Sequence, residues 1–409
     1  MTEPFDILLE KYARLVVRLG ANVQPGQEVV VNALPEQADV ARALADEAYR
    51  VGASRVTIHY RDPHLQRAAV LHAPDDVLGV SATYELDRVR GWGQTRPALI
   101  SLTGNPFPTL MDGLDPERLA KSQPMDLTAE IMPLVANDVL AWTMVGAPTP
   151  GWADSIGVAD VAQLWDALAV AMRLDQADPQ QAWRDHIAKL QRRAAILHGH
   201  AFDRVRYRGP GTDITIGLAA GTRWLGPTTV NADGVEFVAN MPTEEVFMSP
   251  DWRRAEGRVR TAVPFFLSSM GTMVEGLELE LRDGTITGAT ASRGEAEVRQ
   301  QFEVIPRSRH LGEVAIVDQD SAVARTGLVF KDMLFDENVG SHIAWGMGFP
   351  SSLPGALEQS PEECVASGLN QANTHVDIVI GSPEVQIDGV HADGSVVAIT
   401  RGDEFVLTD

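Results

Sequence analysis

Apolar residues recur at helical spacing through FDILLEKYARLVVRLG, where Leu8, Leu9, Tyr12, Leu15, Val16 and Leu19 share one face and Gly20 ends the pattern. The short apolar run QEVVVNAL predicts a buried strand. PEQADVARALADEAYRVGA predicts a helix opened by Pro35 and closed at Gly52. SRVTIHY predicts the next strand, and Leu65, Ala69 and Leu71 mark a helix after it. Further strands are expected at ALISLTG (98–104) and NDVLAWTMVGAP (137–148), and DPQQAWRDHIAKLQRRAAILHGH reads as a long helix closing this part near residue 200. Strands alternating with helices imply right-handed crossovers and a mainly parallel sheet covered by helices.

From Phe202 the pattern changes to short alternating strands punctuated by glycine: DRVRYRGPGTDITIGL, VEFVANMP and LELELRDGTITGATAS. RDGT at 282–285 reads as a hairpin turn, and RGEAEVRQQFEVI is the one helical interruption before HLGEVAIVDQ. The expected architecture is therefore an α/β domain over 1–200 and a β-rich, partly barrel-like α+β domain over 201–409.

Composition narrows the function classes. The 409 residues are 44% hydrophobic and 22% charged, enough for two buried cores. A formal net charge of −22, from 34 Lys+Arg against 56 Asp+Glu, argues against nucleic acid or an anionic membrane as partner. Cys364 is the single cysteine, which excludes an intrachain disulfide and a cysteine-rich zinc site. The acidic start MTEPFDILLE lacks the layout of a signal peptide, and no apolar run approaches the roughly 18 residues of a membrane span. A cytoplasmic protein is expected.

Familiar catalytic signatures are absent: there is no GxSxG, Walker A, HExxH, CxxC or convincing GxGxxG sequence. A set of metal-suitable residues remains, all in the second half. Glu245 lies in an extended loop after a strand in NMPTEEVFMSPD, with Glu244 beside it. Glu313 enters the strand of RHLGEVAIV. His342 stands among glycines in the loop FDENVGSHIAWGMGFP. His375 and Asp377, in THVDIVIG, have the i, i+2 spacing that turns both side chains to one face of a strand. Three carboxylates and two imidazoles provide five ligands for two divalent ions about 3.5–4 Å apart, with open positions for water and substrate. Oxygen-rich coordination with two imidazoles suits Zn2+, Co2+ or Mn2+, with Mg2+ also compatible. Taken one at a time, each residue also has a structural reading: a hydrogen-bonded loop histidine, a surface glutamate, an exposed face of an edge strand.

The segments NMPTEEVFMSPD, HLGEVAIV, LFDENVGSHIAWG and NTHVDIVIG, in this order, resemble the aminopeptidase T/aminopeptidase S family of two-metal exopeptidases. The likeness spans essentially the whole chain, including VQPGQEVVV and SLTGNPF. It implies homodimers whose subunits together enclose the active sites, and peptide substrates with a free N-terminus. It also implies two metal ions per subunit held by Glu245, Glu313, His342, His375 and Asp377, and hydrolysis by a metal-activated hydroxide. Glu313 is the candidate bridging ligand. Glu337 is the candidate proton shuttle, ranked above Asp336, which is equally suited to capping a turn. The chain departs from the family at two positions. Glu244 stands where a small residue is usual, so two adjacent glutamates compete and Glu245 is preferred. Phe349 replaces a tyrosine seven residues after the loop histidine, and phenylalanine has no hydroxyl to donate. No other tyrosine is expected near the site, since the last in the chain is Tyr207. The alternative function is therefore a catalytically weakened or non-catalytic metal-binding homologue.

Overall fold

The structure, a computed structural model, describes residues 4–408. Its first unit takes the chain up to Ala182 and adds Thr228–Met241; its second takes Trp183–Pro227 and the chain from Pro242 onward. This division differs from a single boundary at residue 200. The helix Pro179–His200 buries Leu190, Ala194 and Leu197 in the second unit's core, so an amphipathic helix that seemed to close the first half belongs mostly to the second. The segment 228–241 reads as strand, yet it returns to the first unit.

In the first unit, β1 (Glu28–Ala33), β2 (Arg55–Tyr60), β3 (Ala98–Thr103) and β4 (Trp142–Gly146) form a parallel sheet in the order β2-β1-β3-β4. The central strands β1 and β3 carry continuous apolar runs, as expected of parallel strands covered on both faces, whereas the edge strand β2 alternates Val56 and Ile58 with Thr57 and His59 and is only partly buried. The short strand Asn240–Met241 adds to β4, also parallel. The helix Phe5–Leu15 passes into a π-helical turn, Val16–Gly20, and Tyr12 anchors it by donating its hydroxyl to the Gly146 carbonyl at 2.7 Å.

The second unit is built from two antiparallel sheets and a separate two-stranded hairpin, Phe265–Leu267 with Thr272–Val274. The larger has eight strands in the order Thr285–Thr290, Glu278–Arg282, Pro250–Arg260, Thr212–Leu218, Arg204–Gly209, Gln386–Val390, Val396–Arg401, Glu404–Phe405. The RDGT turn joins its first two strands, with Asp283 and Gly284 at φ 47° and 73°, the left-handed conformation that a tight hairpin demands. The sheet does not close: among the described residues its outer strands pair with no common neighbour, which corrects the expectation of a barrel-like domain. Its far edge is only two residues long, and the turn at 318–319 covers it through hydrogen bonds to Asp403 and Phe405.

The smaller sheet carries the site: β5 (Glu245–Met248), β6 (Leu311–Val317), β7 (His342–Gly346) and β8 (His375–Val379), in that order. Alternation divides it sharply. Val246, Met248, Val314, Ile316, Ile343, Trp345, Val376 and Ile378 face a core shared with Ile214, Ile216 and Ile387 of the large sheet. Trp345 fixes this arrangement: it is fully buried, its indole N–H donates to Gln301 Oε1 at 2.8 Å, and Phe302 meets it edge-on. The neighbouring residues of each strand occupy the opposite face. Replacing Trp345 with alanine should therefore lower stability by about 3–5 kcal/mol and loosen the facing ligands along with the core. Thermal unfolding and metal content of Trp345→Ala, measured side by side, check this; full metal content together with an unchanged Tm would contradict it.

Candidate metal centre

The face of the small sheet turned from the core bears Glu245, Glu313, His342, His375 and Asp377. His342 is the first residue of β7 and not a loop residue, and Glu245 likewise begins β5 rather than sitting in a loop. Cross-strand register brings Ala315 opposite His342, and Ala344 lies between Glu313 and Asp377. Small side chains at these two positions leave the middle of the face to the larger groups around them. A bulge between Leu311 and Glu313 turns Leu311 to the core and Glu313 to the site. Gly312 sits at this bulge because a Cβ there would lie 2.1 Å from the Met347 carbonyl oxygen; Gly346, at φ 104°, meets the Thr374 carbonyl equally closely.

Ligand atoms of Glu245, Glu313 and His342 lie within 4.8 Å of one another, as do those of Glu313, His375 and Asp377. Glu313 belongs to both groups. His342 Nε2 lies 2.9 Å from Glu245 Oε2, and His375 Nε2 lies 3.0 Å from Glu313 Oε2 and 3.2 Å from Asp377 Oδ1. Both imidazoles are oriented from behind. Nδ1 of His342 faces the Gly340 carbonyl at 3.0 Å, and Nδ1 of His375 faces the Met347 carbonyl at 2.7 Å. A carbonyl only accepts, so each Nδ1 carries the proton and each Nε2 is directed to the carboxylates, the orientation of metal-ligating histidines. Glu245 Oε2 and Asp377 Oδ1 are buried and accept no well-directed hydrogen bond among the described residues, each lying instead beside an imidazole Nε2. Buried carboxylate oxygens that face only imidazole nitrogens, whose Nδ1 protons are already committed to carbonyls, fit divalent cations.

Electrostatics agrees. Burial raises the Glu313 carboxyl to about 7, with Asp377 and Glu245 adding to the rise and the hydrogen bond from His375 opposing it. Burial pulls His342 down, but Glu245, Asp377 and Glu313 outweigh it and lift it to about 10. His375 behaves in the same way, raised by Asp377 and Glu313 against the effect of burial. Asp377 is lowered, since His375 and His342 overcome the cost of its burial. The carboxylates thus concentrate a field that holds positive charge between them, whether as protons or as metal ions.

The remaining candidates separate. Glu244 points away from the site: its carboxylate accepts from Ala322 N–H at 3.0 Å and lies 3.4 Å from His186 Nε2. Asp336 caps a turn, accepting from the backbone N–H groups of Phe330 (2.7 Å) and Asp332 (3.2 Å), and burial raises it to about 7. Glu337 lies within electrostatic reach of Asp377, Glu245, His342 and Glu313. Burial raises its carboxyl, and Asp377 and Glu245 raise it further. The Asn338 amide donates to Glu337 Oε1 at 3.3 Å and to the Leu334 carbonyl at 2.9 Å, while its oxygen accepts from Glu244 N–H at 2.7 Å. Phe349 lies beside the site with its ring centroid 5.0 Å from that of His375 and 5.3 Å from that of Phe247. Its backbone N–H donates to Ser249 Oγ at 2.7 Å.

Sequence reasoning missed Phe247, Asn338 and Ser249. Phe247 was accessible, since i, i+2 spacing from Glu245 places it on the ligand face; nothing in the sequence marks the other two. Tyr207 corrects a further expectation. Although distant in sequence, its buried hydroxyl is raised first by burial and then by the Glu313 carboxylate, and it has no hydrogen-bond partner among the described residues. It stands on the core side of the sheet, packed among apolar residues.

This largely buried set of carboxylates and histidines defines a metal-binding protein whose site is built on one open antiparallel sheet. Residues 5–405 match the thermophilic metalloprotease (M29) family, and the chain belongs to that family. It is 37% identical to aminopeptidase T of Thermus thermophilus over 412 residues, 99% of this chain and 100% of that protein. It is 35% identical to aminopeptidase PepS of Streptococcus thermophilus, covering 98% of each. The solved structure of wild-type AmpT from Thermus thermophilus superposes with a TM-score of 0.90 at 35% identity, covering 98% of this chain and 100% of that one. No helix among the described residues is long and apolar enough to cross a membrane.

The raised groups predict a pH signature. The folded chain holds more protons than the unfolded chain through Glu313 between its ordinary 4.5 and about 7, and through His342 between 6.5 and about 10. Their contribution to the stability of chelator-treated protein therefore falls as pH rises through these windows. Divalent ions compete with the same protons, so the gain in Tm on adding Zn2+, Co2+ or Mn2+ should grow from about pH 5 to about pH 9. Calorimetric scans of metal-loaded and chelated protein across that range check this, and a gain that shrinks with pH overturns it.

Proposed function

We propose that the protein is a metal-dependent aminopeptidase acting through a two-ion centre on peptides with a free N-terminus. The observation that carries this reading is the sharing of Glu313 between two ligand groups. Glu245, Glu313 and His342 would hold one ion, and Glu313, His375 and Asp377 the other. The aminopeptidase names of its relatives support the substrate class. When bound, such ions supply Lewis acidity for the scissile carbonyl and lower the pKa of water at neutral pH.

The chain's own residues supply the rest. Water adds to the carbonyl carbon, the C–N bond breaks, and a proton from that water must reach the leaving nitrogen. Glu337 is suited to this transfer, because burial and neighbouring carboxylates keep its proton affinity high. Asn338 steadies its carboxyl group through the 3.3 Å hydrogen bond. The backbone carbonyls of Gly340 and Met347 keep both imidazoles in the ligating tautomer.

A second reading, a homologue with weakened catalysis, is favoured by one observation. The half-buried ring of Phe349 occupies the position beside His375 where the family resemblance implies a hydroxyl. Chelated protein reloaded with Zn2+, Co2+ or Mn2+ should hydrolyse leucyl or arginyl p-nitroanilide, and metal binding without turnover under all three loadings would exclude the enzyme reading. Glu337→Gln should lower kcat by about 100-fold or more with metal content unchanged. Phe349→Tyr should raise kcat while metal affinity stays the same; an unchanged or reduced kcat would show that this position does not limit the reaction.

A further inference from the structure

Phe247 and Phe349 are not explained by core packing. Neither joins the apolar core of the second unit, although Val246 and Met248, on either side of Phe247, both do. Both rings remain half-buried. Phe247 follows Glu245 by two residues, so it stands on the ligand face of β5. Phe349 packs edge-on against it at 5.3 Å and tilts against His375 at 5.0 Å, so the two rings continue the site outward from a ligand. Both are held firmly. Phe247 exchanges backbone hydrogen bonds of 2.7 and 3.1 Å with Leu225, and Phe349 is fixed through Ser249. Partly exposed apolar surface beside such a densely charged cluster suits a ligand that has one charged end and one apolar end.

We propose that Phe247 determines specificity: with Phe349 it forms an apolar wall that receives the side chain of the substrate's N-terminal residue, favouring leucyl and phenylalanyl over arginyl and glycyl substrates. This inference rests on the aminopeptidase reading. Charge supports the apolar preference. Glu245, Glu313, Asp377 and Glu337 carry at most four negative charges, which two divalent ions would cancel, so the loaded centre would keep no net negative charge to draw in a cationic side chain.

The test compares kcat/KM for phenylalanyl, leucyl, arginyl and glycyl p-nitroanilides in the metal-loaded wild type and in Phe247→Ala. The variant should lose about tenfold or more on the two apolar substrates and less than about twofold on the glycyl one, with metal content unchanged. Phe247→Leu, which keeps apolar volume, should recover most of the leucyl activity and guards against simple misfolding of the alanine variant. Calorimetric titration with free phenylalanine, leucine and arginine gives a readout independent of turnover. The apolar amino acids should bind the wild type about tenfold more tightly than Phe247→Ala, and arginine equally to both. An equal loss on all four substrates, or a wild-type preference for the arginyl substrate, overturns the inference. If the wild type turns over no amide, the aminopeptidase reading falls. The titrations then decide the wall alone, and apolar amino acids that bind wild type and variant equally exclude it.

Discussion

Three carboxylates and His342 are buried together on one side of a four-stranded sheet with the half-buried His375 beside them, and the rest of the second unit is arranged around that concentration of charge. Ionised carboxylates buried close to one another repel, and each loses the solvation that water provides. The strain appears in opposite directions on neighbouring groups. Glu313 and Glu337 are pushed toward the protonated form, whereas His342 and His375 are held positive. No lysine or arginine stands among the ion pairs of the ligand cluster to relieve it; histidine is the partner in each. A site meant only to stabilise the fold would be served better by apolar residues of similar volume. Keeping the charges buried makes sense when exchangeable cations complete the arrangement.

Such a cluster needs a stiff support, because small displacements of like charges change their energy steeply. The small sheet provides it by using its two faces for opposite purposes. Trp345 and its apolar neighbours lock one face into a continuous core, and the strict two-residue alternation then fixes where the ligands on the other face emerge. The bulge at Gly312 reverses the alternation on β6 at the point where Glu313 must face the site while Leu311 stays in the core. Loops complete the support. The segment 346–349 supplies the Met347 carbonyl to His375, and Asn370 ties that segment down by donating to the Gly346 carbonyl at 2.6 Å and accepting from Gly348 N–H at 2.8 Å.

Much of this was legible in the sequence, where local pattern and local structure coincide. The change from helix–strand alternation to short glycine-punctuated strands marked two kinds of architecture, and the His-x-Asp spacing placed two ligands on one face of a strand. What stayed hidden depends on long-range pairing. His342 reads as a loop residue because of the glycines around it, yet pairing with Ala315 and Val379 makes it the first residue of a strand. The helix ending at His200 reads as the close of the first half, but its apolar stripe finds its partners in the second. Glu244 and Glu245 cannot be told apart by composition; one hydrogen bond to Ala322 and the proximity of His186 turn Glu244 away from the ligands. The open eight-stranded sheet reads as a partial barrel because alternation reveals strands without revealing whether the outer two meet.

Phe349 shows how a single missing atom should be judged. Phenylalanine there has no hydroxyl, and the one tyrosine that feels the field of Glu313, Tyr207, stands behind the sheet in the core. A strand can present a side chain to only one of its faces, so Tyr207 cannot reach across to take up the absent role without breaking the core that positions the ligands. Any replacement must come from the ligand face itself. Glu337, on the turn Glu337–Val339 beside the sheet, has a raised proton affinity and no place among the ligands, which is why the proposed function gives the proton transfer to it. Under the proposed function, Glu337 rather than a phenol would donate the proton, and the half-buried ring of Phe349 would be left to contact substrate.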